Sequence, residues 1–409
     1  MRLAHWFWLG LCTTLVIGAI SLVAATASED VIVLGAAVSL TGKYAQNGVN
    51  TKYGYDLAAR KINDLGGVVI GGKSYKIVLR YYYDDESTPA RGTELAERLI
   101  QQDGVKYLLG PYSSGLTKAI LPICEKHRVP MIEANGAARE LFTKGYRYIF
   151  AVLSTSDQYL TTAIDLAAEH AADLGKTPET IRVALAMEND PFAQDVRAGV
   201  IDDIQRHGMQ IVIDDQLPPE LNDMSMTLTK VKALKPDVLI VSGHEKGALT
   251  VITQIDTLKV YLPMLAMTHC DSAQIAEKLG QAAEYAFCAH QWHESLAYRD
   301  EVFGSAGDFA KAFRDAYRYE APYQAAQLAA AVHVYADAFK RAQSLDPEKV
   351  RDAIAATELN TFYGPVKFDE AGRNVAKPMV LSQVLHGKYV VVAPAKWATD
   401  KPIIPRPPH

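Results

Sequence analysis

Ser113 and Ser114, followed by Gly115, stand where a short strand gives way to a helix. A turn of that kind exposes backbone N–H donors and can hold a carboxylate. The same hydroxyls can instead simply cap the helix. No G-x-S-x-G pattern surrounds either serine, so nothing marks them as hydrolytic nucleophiles. The run His290-Gln-Trp-His293-Glu294 invites a metal reading with His244 and His269 as further ligands. Its histidines lie three apart and do not form H-E-x-x-H, and a segment crossing between domains or lying at the surface explains the run as well. Gly66-Gly-Val-Val-Ile-Gly-Gly72 precedes a strand instead of following one, so it reads as a turn and not as a dinucleotide loop. No metal and no cofactor is expected.

The elements that position these groups alternate. Val31 to Val38, Lys76 to Tyr83, Val105 to Leu109 and Pro130 to Ile132 are short runs rich in apolar and β-branched residues and read as strands. Helices are expected between them over Asp56 to Asp64, Pro89 to Gln102 and Thr117 to His127. A second series starts near Ser154. It has a helix to Leu174, then strands at Ile181–Ala186, Met209–Asp214, Val238–Val241, Pro263–Met267 and Tyr285–Ala289, separated by helices at Phe192–His207, at Met224–Leu234 and up to Leu258. Alternation of this kind predicts parallel sheets covered on both faces. Two series predict an α/β fold of two doubly wound, Rossmann-like lobes. Three successive helices, Asp308–Arg318, Tyr323–Ala342 and Pro347–Ala356, are expected to complete one of those lobes. Tyr363–Phe368, Met379–Leu385 and Tyr389–Val392 read as antiparallel strands, and Lys401 to His409 as an extended proline-rich tail.

Composition narrows the partners. The chain has 409 residues, 49% hydrophobic and 22% charged, with a formal charge of −5. Nucleic acid is not an expected partner, because phosphate recognition rests on clustered Lys and Arg. Met1-Arg2, the uncharged run Trp6 to Ala25 and the small residues Ala25 and Ala27 compose a secretory signal over residues 1–27. A retained anchor helix is the alternative, since about 20 apolar residues span a bilayer. Cleavage would leave Cys124, Cys270 and Cys288, an odd number, hence at least one free thiol in an oxidising compartment. Cys270 and Cys288 flank a helical stretch; a bridge and two buried thiols are both open.

Several segments, in order and spacing, resemble the secreted solute-binding proteins of ABC importers, in the branch of the leucine/isoleucine/valine-binding proteins. They are Gly35-Ala-Ala-Val-Ser-Leu-Thr-Gly42, Gly54-Tyr-Asp-Leu-Ala-Ala59, Tyr83-Asp84-Asp85 with Pro89, Gly110-Pro-Tyr-Ser-Ser-Gly115, Pro130-Met-Ile132, Glu140-Leu141 with Tyr148-Ile-Phe150, and Gly364-Pro-Val-Lys-Phe-Asp369, similar to the family's closing hairpin. The resemblance runs from about residue 30 to 392. It implies two lobes joined by three hinge crossovers, placed near Ala151, His290 and Phe362. Residues 28–151 with 291–361 would form lobe I, 152–290 with 362–392 lobe II, and 393–409 the tail. It also implies periplasmic location, a small-molecule solute, and ABC permease subunits as partners, the membrane being met only through the permease. A sensor subunit signalling to a membrane receptor is the alternative, since one binding fold serves both uses.

By the same resemblance Ser114 is the hydroxyl donor to a solute carboxylate, with Ser113 beside it and Asn135 and Ala137 supplying backbone groups. The family often has Thr where this chain has Ala137. In lobe II, Phe192 and His244 stand where Tyr is common. In Ala266-Met-Thr-His-Cys270 the amino-acid binders place an acid to pair the ligand's ammonium, and here the residue is Thr268 or His269. A buried ammonium without its carboxylate costs several kcal/mol. Either Glu245, Asp271 or Glu133 takes the role, or the solute lacks an α-ammonium and is an aromatic or other small organic carboxylate. Tyr44, Tyr112 and Trp292 are candidates for apolar walls, with core packing as the alternative.

Overall fold

A computed structural model describes residues 30–80 and 83–408; the signal sequence assigned to residues 1–27 lies outside the described residues. The β-branched run Val31–Leu34 forms a strand paired in parallel with Lys73–Leu79. A bridge from Gly35 to Leu108 carries the sheet on through the parallel strands Leu108–Leu109, Met131–Glu133 and Ile149–Ala151. The glycine-rich stretch is more than a turn: Val68–Ile70 pairs antiparallel with Lys73–Leu79. Only the Gly71-Gly72 link is the turn, with φ of 57° and 80°. That conformation matches the twist of a tight hairpin and favours glycine.

The second sheet has seven strands in the order Gln210–Leu217, Arg182–Glu188, Val238–Ser242, Met264–Met267, Phe287–His290, Val380–Leu385, Lys388–Ala393. Five are parallel and the last two antiparallel. Val238–Ser242 is buried at every position, as a strand covered on both faces must be.

The first helix is longer than expected. It runs Ala45–Asp64, not from Asp56. Asn47, Gly48, Asn50 and Gly54 depress helix propensity, yet close packing requires the small ones. A Cβ on Gly48 would fall 1.7 Å from the Ser39 carbonyl oxygen, and one on Gly54 would fall 2.5 Å from that of Ala325. The partner at Gly54 is the almost wholly buried helix Tyr323–Ala342, which with Ala306–Tyr317 and Pro347–Ala355 completes the first lobe. The stretch from Ser154 holds a crossover and one tight turn, so its helix is only Thr161–Glu169.

One buried network ties the chain's passages between the sheets. The Ser154 N–H donates to Gln291 Oε1 (3.1 Å), Gln291 Nε2 donates to the Ser154 carbonyl (3.0 Å), and Ser154 Oγ donates to the Lys377 carbonyl (2.7 Å). Lys377 in turn donates from Nζ to the Gln291 and Pro378 carbonyls. Burial pushes its ammonium down to about 7.

The third passage is displaced from the expected position. Gly364–Lys367 pairs with Glu358–Thr361, not with the strands of the second sheet. Phe362 stacks on Phe309 at 4.3 Å, and Arg373 bridges to Ala151. Aromatic packing thus keeps the hairpin on the first lobe. We propose that the third crossover falls between Arg373 and Val380, near Lys377 instead of Phe362. Beyond Ala393 the chain turns over residues 394–397, and residues 401–408 then run without helix or strand, fastened to the second sheet. Ile403 exchanges two hydrogen bonds with the Gln383 side chain, and the Arg406 N–H donates to the Pro263 carbonyl (2.8 Å).

Cys270 and Cys288 are bridged, with Cα atoms 5.8 Å apart, while Cys124 is free and buried. The bridge closes a loop of sequence separation 18. Restricting the unfolded chain over such a loop stabilises by about 3 kcal/mol. The Cys270→Ser/Cys288→Ser double variant should therefore melt several degrees lower in scanning calorimetry, with the second lobe losing the stability. A transition unchanged within error would show that the cross-link contributes nothing.

Candidate functional site

Leu108–Leu109 ends at Gly110, and after the turn Ser113 is the N-cap of the helix Ser114–His127. The cap is not made by a side chain: the Ser113 hydroxyl accepts no hydrogen bond from the first turn. Helix capping therefore does not account for this serine. Ser114 Oγ accepts from the N–H groups of Ala137 (3.1 Å) and Ala138 (3.2 Å). With both lone pairs engaged, its proton is left to donate. Ala137 thus acts through its backbone on Ser114.

The loop that delivers those amides is shaped by Glu133. Its carboxylate accepts from the N–H groups of Ala134, Asn135 and Gly136 and from the Thr117 hydroxyl. Burial pushes it up to about 7 against these bonds. The side chain of Asn135 donates to Thr51 Oγ1 (3.1 Å) and accepts from Gln327 Nε2 (3.1 Å).

Phe192, His244 and His269 face this wall from the second lobe, at the carboxyl ends of its strands. Tyr112 reaches across to them, its hydroxyl 2.5 Å from His244 Nδ1 and 2.9 Å from His269 Nε2. His244 Nε2 lies 2.6 Å from Asp190 Oδ2, and Asp190 also caps the helix Pro191–Arg206 through the Ala193 N–H. Burial alone would lower the His244 pKa, but the Asp190 carboxylate reverses this and raises it. Burial would likewise raise Asp190, and His244 with the Ala193 amide holds it below the ordinary value.

His269 is driven down to about 3 by burial and by the charge on His244. A hydrogen-bonded chain thus runs from Asp190 through His244 and the Tyr112 hydroxyl to His269. His269 sits at φ 61°, a strained conformation for a side chain of its size. The neighbouring Cys270 bridge holds the loop there.

These residues enclose a cavity of about 10 Å³, the space of about one water. Of the residues expected at the site, Tyr112, Ser113, Ser114, Asn135, Phe192, His244 and His269 line it. Tyr44 stands behind, edge-on to Tyr112 and His244. Thr268 does not line it; its hydroxyl donates to the Gly243 carbonyl (2.9 Å). Trp292 is elsewhere: its indole N–H donates to the Phe362 carbonyl (3.0 Å) and its ring packs on Phe309, so it belongs to the core.

Tyr159, Tyr323, Gln324 and Gln327 also line the cavity and were not expected. Gln324 and Gln327 break an Ala-rich, buried helix, and that pattern was the available signal. Among the described residues no carboxylate lines the cavity. Asp271 accepts from the Ser272 and Tyr323 amides, and Glu245 accepts from the Asn47 side chain.

The histidines of the metal-like run do not converge on one point. His290 Nε2 meets Ser382 Oγ (3.2 Å), and His293 meets Ser295 Oγ and the Tyr389 carbonyl. They wall a separate cavity of about 590 Å³. Among the described residues, the ligand-type atoms that converge within 4.8 Å are those of Glu188, Asp190 and His244, and two of these three are bonded to each other.

The ion pair sets a pH window. The His244 pKa is raised in the folded chain, so its contribution is complete below the ordinary imidazole value of 6.5 and fades as pH climbs through the raised one. The Asp190 pKa is lowered, so its contribution is complete above the ordinary 3.8 and fades as pH falls through the lowered one. NMR titration of labelled imidazoles should find His244 protonated beyond its ordinary range while His269 stays neutral. In Asp190→Asn, burial should dominate and the His244 pKa should fall. A His244 already neutral at pH 6 in the native chain contradicts the pair.

A family model described as "Periplasmic binding protein" matches residues 31–388. A relative from Brucella suis, named Leu/Ile/Val-binding protein homolog 8, is 24% identical over 395 residues, covering 94% of this chain and 95% of that one. Among solved structures, the LivJ substrate-binding protein of Streptococcus pneumoniae, in complex with isoleucine, superposes with a TM-score of 0.74 at 23% identity, covering 89% of this chain and 100% of that one. An ABC-transporter solute-binding protein from R. palustris, in complex with benzoate, superposes with a TM-score of 0.75 at 22% identity, covering 91% and 99%. The two doubly wound lobes described above are the fold these proteins share, and the chain belongs to the periplasmic binding protein family.

Proposed function

We propose that this chain is the extracytoplasmic solute-binding subunit of an ABC importer, that it captures a small aromatic carboxylate between its lobes, and that it delivers this solute unchanged to a permease. The observation that carries the solute class is the sign of the wall. Ser113, Ser114 and Asn135 bring hydroxyl and amide donors, and among the described residues no carboxylate lines the cavity. A solute carboxylate finds partners there, whereas an α-ammonium would be buried without a counter-charge, at a cost of several kcal/mol. That is a large part of the roughly −8 kcal/mol of a micromolar complex. The rings of Phe192, Tyr159 and Tyr323 suit a flat apolar body. Family members of this fold solved with benzoate, 3,4-dihydroxybenzoic acid and 4-hydroxybenzoate support the same reading.

Capture works by closure. The closed cavity is too small for such a solute, so the lobes part to admit it and meet again around it. A solute touching both lobes selects the closed form, which a permease can then recognise.

Isothermal titration should give a micromolar or tighter Kd for at least one benzoate-type acid and binding at least about 100-fold weaker for leucine, the equivalent of about 2.7 kcal/mol. Ser114→Ala should weaken the acid by about 10-fold or more, since a charge-assisted hydrogen bond is lost. Tight leucine binding with no response to any aromatic acid overturns the reading.

A further inference from the structure

Among the described residues four glutamines are buried, Gln291, Gln324, Gln327 and Gln383, each 2% exposed or less. Three have partners at both ends of the amide. Gln291 is held by Ser154, Tyr159 and Tyr363. Gln327 donates to Asn135 and accepts from Tyr363. Gln383 donates to the Tyr285 and Ile403 carbonyls and accepts from the Ile403 N–H. Gln324 is the exception. Neither its Nε2 nor its Oε1 has a hydrogen-bond partner, and it lines the same closed cavity as Ser113, Ser114 and His244.

Leaving a buried donor and acceptor without a protein partner is unfavourable, and native structures do so rarely and for a reason. The fold does not force the arrangement. Gln327, one turn along the same helix, donates to Asn135 and shares the Tyr363 hydroxyl with Gln291. A leucine or methionine at position 324 would also continue the apolar character of Tyr323–Ala342.

We propose that Gln324 is a specificity residue that reads a hydroxyl group on the aromatic ring of the solute, so that the preferred ligand is a phenolic acid and not an unsubstituted one. This rests on the aromatic-carboxylate reading above and goes beyond it. The chemistry of the amide selects the group. A second carboxylate on the solute can only accept, so it would answer Nε2 and leave Oε1 unpaired. A hydroxyl both accepts from Nε2 and donates to Oε1. It is also the smallest group that does both, and the cavity has little space to give. A site built to hydrogen-bond a hydroxyl rejects the analogue without it, because its own polar groups are then buried unpaired.

The test is isothermal titration of the native chain with benzoate and with 2-, 3- and 4-hydroxybenzoate, repeated on Gln324→Met and on Gln324→Glu. At least one hydroxybenzoate should bind about 10- to 100-fold more tightly than benzoate. That ratio should collapse to within about 3-fold in Gln324→Met, the ratio being the readout so that a general loss of affinity does not count. Gln324→Glu, which lacks the donor, should also lower the ratio. Benzoate bound as tightly as every hydroxybenzoate by the native chain overturns the proposal while leaving the aromatic-acid reading intact. A preference that survives in Gln324→Met assigns the hydroxyl to another residue and overturns it too. No binding of any of the four acids removes the reading beneath it. The comparison within the native chain decides the matter even if a variant does not fold.

Discussion

The contact on which the two halves of the site depend is the hydroxyl of Tyr112 placed between His244 and His269. It is carried by the first lobe and meets both imidazoles of the second, so it exists only when the lobes are together. Its strength comes from behind. The Asp190 carboxylate raises the His244 pKa against the effect of burial, and a hydrogen bond with a charged partner is stronger than one between neutral groups. A buried ion pair is not by itself a source of net stability, since desolvation offsets attraction. What the pair provides is orientation: with Nε2 held by Asp190, the His244 ring presents Nδ1 to the Tyr112 hydroxyl.

The same logic bears on the aromatic carboxylate proposed as the solute. Sites for amino acids need an acid for the ammonium, and the loop Met267-Thr-His-Cys270 has none. The three carboxylates weighed for that role are engaged elsewhere: Asp271 with two backbone amides, Glu133 with three and a hydroxyl, Glu245 with the Asn47 side chain. The amides tie Glu133 and Asp271 to their own loops, and none of the three lines the cavity. The donor-rich wall is thus built into the local structure and is not a matter of one absent side chain.

Much of the scaffold was legible in the sequence because its strands are buried on both faces and leave runs such as Val238-Leu-Ile-Val241, which composition alone picks out. The start of the first helix was not, because Gly48 and Gly54 signal a break locally while their function is close approach to Ser39 and to the Tyr323–Ala342 helix. The proposed position of the third crossover, near Lys377, has the same cause. Gly364–Lys367 reads as a strand, but stacking of Phe362 on Phe309 decides which lobe owns it. At the site, residues at strand ends were found through the family's segment order. Trp292 was misplaced for the opposite reason: an aromatic beside two histidines reads as a wall until its partners Phe309 and Phe362 are known. Gln324 and Gln327 reach the cavity from a helix that the chain supplies only after its second crossing, a relation no local pattern contains.

Closure in this chain is partly self-complementary before any solute is considered. Beyond Tyr112, Arg139 pairs with Asp195 at 2.7 Å across the lobes, the Tyr323 N–H donates to Asp271, and Asn47 meets Glu245. The solute therefore need not supply the whole free energy of closing; it need only favour closed over open by its own differential contacts. This places a limit on those contacts. If the protein's own bonds held the lobes shut too firmly, solute would be excluded, and a cavity of about 10 Å³ admits nothing larger than water. An unsatisfied amide on that cavity acts against this danger, since it makes the empty closed form less favourable than the filled one. Polar groups left unpaired at the cleft and bonds made across it are then two sides of one balance, which keeps the lobes able to open while still rewarding the right solute when they close.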